Sequence, residues 1–237
     1  AVDNIADYSP NGLQVEGREE VRRLVTGVSA SAALIEQAQA AAADAILVHH
    51  GYFWKGEESR IVGYKAKRLR LLLGAGINLF AYHLPLDIHL ELGNNAALGS
   101  MLGLNVATRY SLKGVPDLLW MGYPQLEISA NQLSQRLERA LEQAPLHISA
   151  GPELICRIAW CTGGAERLIE QAIEHGADAF ISGEISEPIP HIAREAGIHY
   201  FAAGHHATER GGVKRLGQHL ASKFDIDHQY IEIPNPA

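Results

Sequence analysis

The chain contains an internal repeat. LIEQAQAAAADAILV (Leu34–Val48) and LIEQAIEHGADAFIS (Leu168–Ser182) share eight of 15 aligned positions. Each reads as a helix, a tight turn at Ala-Asp-Ala and a strand, with Asp44 aligned to Asp178. The next apolar run matches as well: INLFAY (Ile77–Tyr82) against IHYFAA (Ile198–Ala203). A repeat of helix and strand restricts the chain to α/β architecture. The expected fold is two similar α/β domains from an internal duplication, with mixed sheets and flanking helices.

Strand-like runs recur at Arg23–Val28, Ala45–Val48, Ile77–Tyr82, Arg157–Cys161, Ala179–Ser182, Ile198–Ala202 and His228–Ile233. Helical patterns cover Ser31–Ala42, Tyr64–Ala75, Asn95–Leu102, Asn131–Glu142, Glu166–His175, Pro190–Ala196 and Gly211–Lys223. Ser129 with Gln132 has the form of a capping box. The first half carries 13 more residues than the second between its Asp and the next apolar run, and GYFWKGEESRIVG (Gly51–Gly63) reads as the inserted loop. The segment from Asn105 to Gly151 matches neither copy; it reads as one helix and a Pro/Gly-containing connection. The expected division places residues 1–108 plus 205–237 in a first domain and 109–204 in a second.

Bulk properties exclude several classes. A 237-residue chain with 47% hydrophobic and 20% charged residues is an ordinary globular composition. Its net charge of −7 argues against a nonspecific nucleic-acid binder. No apolar run approaches the ~20 residues that span a bilayer. The start lacks the basic and apolar regions of a signal peptide. With only two cysteines and no disulfide framework, a reducing cytoplasm is the expected location. Cys156 and Cys161 make no disulfide scaffold and read as core residues.

The 12 histidines cluster where chemistry is expected. His49 and His50 close one strand; His83 and Asp87 follow another; His205 and Glu209 follow a third. In α/β sheets, ligands bind outside the carboxyl ends of strands. A lone histidine there is more often a surface residue, and H-x3-[DE] on a helix is more often an ion pair. Three such groups related by a repeat point to a metal site. Mixed imidazole and carboxylate donors favour Zn, Mn or Fe over calcium. Two divalent ions held by two carboxylates would keep surplus positive charge, which draws hydroxide or an anionic substrate.

These motifs resemble the GTP cyclohydrolase 1 type 2 family of YbgI-like dinuclear metal proteins. The resemblance is carried by DYSPNGLQVEG (Asp7–Gly17), VTGVSAS (Val25–Ser31), DAILVHHGYFWKG (Asp44–Gly56), AYHLPLDIHLELGNN (Ala81–Asn95), RIAWCTGGAE (Arg157–Glu166), DAFISGEISE (Asp178–Glu187) and FAAGHHATERGG (Phe201–Gly212). It runs across nearly the whole chain in family order. A short leading helix expected before the first motif is mostly absent, which the resemblance reads as a truncated start. It implies two divalent ions per subunit on His49, His50, Asp87, His205 and Glu209, with Asp87 or Glu209 bridging. His83 and His206 become outer residues that orient ligands, contact substrate or shuttle protons. It also implies interlocked domains and a ring-shaped homohexamer with the metal sites inside.

The expected function is a metal-dependent hydrolase of a nucleotide or related heterocycle, acting on a small anionic substrate. The alternatives are an iron storage or delivery protein without turnover, and a ring-shaped interaction protein in DNA maintenance. Other residues carry plainer expectations. Pro10, Asn11 and Gly12 read as an ordinary turn, ahead of a reading in which Tyr8 and Asn11 approach the site. Lys55, Arg60, Lys65, Lys67, Arg68 and Arg70 read as a solvated face ahead of a phosphate-steering one. Arg210 meets either a substrate anion or a carboxylate. Glu184, aligned with His50, reads as a relic of the duplicated site with a hydrogen-bonding role. The absence of P-loop and GxGxxG elements argues against those nucleotide folds.

Overall fold

The structure, a computed structural model, describes residues 2–237. Its strands are β1 (Gly12–Val15), β2 (Arg23–Ser29), β3 (Ala45–His50), β4 (Asn78–Ala81), β5 (Leu104–Leu112), β6 (Val115–Pro124), β7 (Leu146–Ile148), β8 (Ile158–Trp160), β9 (Ala179–Ser182), β10 (His199–Ala202) and β11 (Asp227–Tyr230). Its α-helices are α1 (Ala32–Ala40), α2 (Gly63–Ala75), α3 (Leu84–Ile88), α4 (Asn94–Met101), α5 (Ala130–Leu141), α6 (Ile169–Glu174), α7 (Ile189–Ala196) and α8 (His205–Phe224). Among the described residues no helix is long and apolar enough to cross a membrane.

The chain forms two compact units. One runs to Leu86 and adds Arg210–Pro234; the other is Asp87–Glu209 with Asn235–Ala237. The first contains a five-stranded sheet in the order β1-β4-β3-β2-β11, and the second a six-stranded sheet in the order β5-β6-β8-β9-β10-β7. Both sheets are mixed, as expected from the repeat. The divisions fall at 86/87, 209/210 and 234/235. The physical reason for the first is α4, whose Leu98 and Leu102 lie in the core of the second unit with Trp120, Trp160 and Phe201.

The repeat survives in register. In the first unit Leu24 pairs with Ala45 and Ala45 with Asn78. In the second Ile158 pairs with Ala179 and Ala179 with His199. Leu24 and Ile158 are aligned positions, as are Ala45 and Ala179, so the parallel triplets β2-β3-β4 and β8-β9-β10 are the same unit. The same carboxylate clasp fixes each. Asp44 Oδ2 accepts the backbone N–H groups of Arg22 and Arg23, each at 2.9 Å. Asp178 Oδ2 accepts those of Cys156 and Arg157 at 2.9 and 2.7 Å. Each aspartate therefore ties the turn before one strand to the start of its neighbour.

Both faces of each central strand are covered, which explains why these segments read as unbroken apolar runs. Val25, Ile46, Val48 and Leu79 pack with Leu34, Ile35, Leu69 and Leu72 of α1 and α2. Leu24, Val28, Ala45 and Leu47 take the other face, with Val213 of α8. In the second unit Ile158, Trp160 and Ile181 meet Leu133 and Leu137 of α5, while Ala159, Phe180 and Tyr200 meet Ile169 and Ile189.

Several elements differ from the sequence reading. The segment 105–151 supplies the hairpin β5–β6 and strand β7 besides α5, so it builds the second sheet rather than joining two halves. Helix α8 begins at His205, six residues before the predicted start, and α3 was unpredicted. The capping box at Ser129 and Gln132 is formed. Cys161 is buried, but Cys156 is exposed and donates its S–H to Glu127, so it is not a core residue.

Asp44→Ala and Asp178→Ala should each destabilise the protein by about 1–3 kcal/mol, because each strands two strand-entry N–H groups. The losses should add, since each clasp acts inside its own unit. Urea denaturation of the single and double variants measures this; a double variant no weaker than either single one would contradict it.

Candidate metal centre

In the first unit three imidazoles converge. His49, His50 and His83 each offer one ring nitrogen within 4.8 Å of the others. His49 and His50 are the last two residues of β3, and His83 follows β4, the strand beside it. Parallel neighbours end on the same edge of the sheet, so the register delivers all three rings to one place. His49 is fully buried. Its Nδ1–H donates to the Tyr82 carbonyl at 2.9 Å, so in the neutral ring Nε2 carries the lone pair. His50 Nδ1 lies 3.1 Å from Ser29 Oγ.

His83 is fixed by Asn11, which the sequence reading gave to a turn, and by Asp7. Its Nδ1 lies 2.9 Å from Asp7 Oδ1, and its backbone N–H donates to Asn11 Oδ1 at 2.7 Å. Asp7 Oδ2 accepts from Asn11 Nδ2 and from the Leu84 N–H. Burial alone would raise the Asp7 pKa, but the hydrogen bonds from His83 and Asn11 outweigh it and hold it at about 2. Asp7 is thus a carboxylate at any ordinary pH. Tyr8 also approaches, with its ring centroid 5.0 Å from that of His83. Asp7 was not singled out; its signal was a carboxylate in a polar turn ahead of Asn11.

In the second unit the groups are two carboxylates and a histidine. Asp87 sits on α3 and is buried; Asn94 Nδ2 and Thr162 Oγ1 both donate to its Oδ1, at 2.8 and 3.2 Å. His205 and Glu209 lie four residues apart on the first turns of α8, with Nε2 to Oε1 at 3.2 Å. His205 Nδ1 is 2.6 Å from Glu184 Oε1, which gives Glu184 the hydrogen-bonding role expected of it. Burial lowers the His205 pKa, but Glu209 and Glu184 outweigh burial and raise it to about 9. An ion at Nε2 would compete with that proton. His206 is also buried.

The second copy has no counterpart of His49 because there is no room for one. Gly183 holds that position, and a Cβ on it would come within 2.6 Å of His205 Cα. Gly163 faces the same pressure: a Cβ there would meet Glu209 Oε1 at 2.1 Å. Two glycines therefore let the start of α8 lie against β9 and the turn after β8.

Three of the six residues of the basic stretch are paired with carboxylates. Arg60 pairs with Glu58, Lys65 with Glu57 and Lys67 with Glu36, while Arg68 lies over Tyr64. Arg210 stands 3.8 Å from Glu232. The donor set itself, imidazoles with buried carboxylates and an oxygen at each Nδ1, fits a borderline divalent transition ion.

Comparison with known proteins agrees with this reading of the motifs. A curated relative from Yersinia pestis, described as a GTP cyclohydrolase 1 type 2 homolog, is 53% identical over 232 residues, covering 98% of this chain and 92% of its own. A solved structure described as protein ybgI of unknown function shares 48% identity with a TM-score of 0.95, over 100% of this chain and 95% of its own. The structure of TTHA1606 from Thermus thermophilus shares 34% identity with a TM-score of 0.88, over 99% and 93%. The family described as Duf34/NIF3 (NGG1p interacting factor 3) matches residues 1–236, and the chain belongs to it.

Proposed function

We propose that the protein is a metal-dependent hydrolase, with two divalent ions held by His49, His50, Asp87, His205 and Glu209. One observation carries the reading. Two of these ligands, His49 and His205, are anchored through Nδ1 to a carbonyl and a carboxylate oxygen, at 2.9 and 2.6 Å. That arrangement fixes the ring and presents Nε2, as is usual for metal-ligating histidines. When bound, the ions would supply Lewis-acid polarisation and a water of lowered pKa.

The chain's own residues supply the rest. Asp87 and Glu209 bring the negative charge that balances the ions. Asn94 and Thr162 orient Asp87 by donating to one oxygen, and Glu184 orients His205. His83, held by Asp7, is the proton carrier at Nε2, with His206 the second candidate. The substrate reading, a nucleotide or related heterocycle, follows the description of the curated relatives as GTP cyclohydrolase 1 type 2 homologs. A homohexameric ring in the cytoplasm belongs to the same proposal; light scattering should then give six times the 25.8 kDa chain mass.

Loaded with Mn, Zn or Fe and dialysed, the wild-type protein should retain two ions per chain by elemental analysis. The Asp87→Ala, Glu209→Ala double variant should retain fewer. Full retention by that variant would remove the ligand assignment. The loaded wild type should also turn over GTP or another member of a nucleotide panel. Reversible loss of metal near neutral pH with no turnover of any substrate would instead favour the delivery reading.

Asp7→Asn should keep both ions but lower kcat roughly a hundredfold or more, the usual scale of a lost proton-transfer arrangement. Unchanged kcat would show that His83 moves no proton.

A further inference from the structure

The loop after β3 is built to place an aromatic ring beside the imidazole cluster. Tyr52 is buried, its hydroxyl donating to Ala30 O at 2.6 Å and its N–H to Gln14 Oε1 at 2.7 Å. Phe53 then adopts φ +64°, a left-handed conformation that is costly for a bulky residue. Trp54 follows and is tied at two points: its N–H donates to Glu57 Oε2 at 3.1 Å, and its Nε1–H to Gly51 O at 3.2 Å. The Lys55 N–H donates to Tyr8 O at 2.8 Å, which draws the Tyr8 turn onto the same loop.

The two rings stand together against the cluster. Tyr8 and Trp54 centroids are 5.6 Å apart, with planes inclined by 36°, so the pair is tilted rather than stacked. Each lies 5.0 Å from His83, at 71° for Tyr8 and 84° for Trp54, and Trp54 lies 6.0 Å from His50. A ring that served only to shield His83 would gain by burying its own apolar surface as well. Tyr8 instead remains 54% exposed. Aromatic surface held rigidly at the edge of a polar cluster is the arrangement on which flat heterocycles stack.

We propose that Tyr8 and Trp54 form a stacking wall that selects substrates through a planar, nitrogen-containing aromatic ring. This rests on the reading that the imidazole cluster is the reacting site. It adds the residues that grip the substrate and the part of the substrate they grip. The wall reads the ring, not the sugar or the phosphate.

Guanosine 5′-monophosphate and ribose 5-phosphate differ only in the base, so calorimetric titration of the metal-loaded protein with each isolates the ring. The monophosphate should bind at least about tenfold tighter, within the range of one base–aromatic contact. It should also change the tryptophan fluorescence, and that signal reports Trp54 because Trp120 and Trp160 are buried. Tyr8→Ala should weaken the monophosphate about tenfold and leave ribose 5-phosphate unchanged, while Tyr8→Phe keeps the wild-type affinity. Indistinguishable binding of the two ligands would overturn the proposal, as would wild-type affinity in Tyr8→Ala. Elemental analysis of Tyr8→Ala separates this from the metal reading. Two retained ions are expected, and their loss would show that Tyr8 acts through the centre rather than on the ring.

Discussion

Everything at the candidate centre depends on the register of parallel strands. A one-residue slip would turn every side chain of β3 to the other face and carry His49 into the opposite layer of the core. The register is held by Asp44, which receives the N–H groups that open β2 from the turn that opens β3. Asp178 holds β8 and β9 in the same way. These are local bonds to carboxylates at strand entries. Their consequence appears at the other end of the strands, where the histidines stand.

The repeat runs through the scaffold of both units, and the copies depart from each other at the candidate centre. Both units repeat the triplet of strands, but only the first carries a histidine pair at its edge. In the second, Gly183 replaces the first histidine because the start of α8 occupies the space. Glu184 replaces the second and now holds His205. Aligned positions of the repeat thus carry His50 in one copy and, in the other, a carboxylate that holds His205. The carboxylates are similarly set by context. Buried Asp87 accepts from Asn94 and Thr162 on one oxygen. Asp7 accepts from Ser9, Asn11, His83 and Leu84 and remains ionised down to a pH of about 2.

The central strands were legible because burial on both faces leaves them almost wholly apolar, as in Ala45–Val48 and Ala179–Ser182. The hairpin was not. In β5 the alternation of Leu104, Val106, Tyr110 and Leu112 with Asn105, Arg109 and Ser111 is diluted by Ala107 and Thr108, and the residues from Asn105 to Arg109 are all exposed at the edge of a sheet, where pairing with β6 holds them. The start of α8 was missed for a different reason. His, Thr and Gly are weak helix formers. The first turn is instead tied through Thr208, whose Oγ1 donates to His205 O within the turn and accepts the Gly163 N–H from the turn after β8.

The sequence by itself determined the α/β class, the repeat and the residue types of a candidate metal centre, because periodicity and spacing are local properties. The strand ends nominated His49, His50, His83, Asp87, His205 and Glu209, and the family resemblance reduced that set to His49, His50, Asp87, His205 and Glu209, without showing what holds them. Only the tertiary structure decided that Asp7 grips His83, that Tyr8 and Trp54 flank it, and that α4 belongs to the second unit. Those relations join residues as far as 76 positions apart. They arise from packing and from hydrogen bonds that no local pattern encodes.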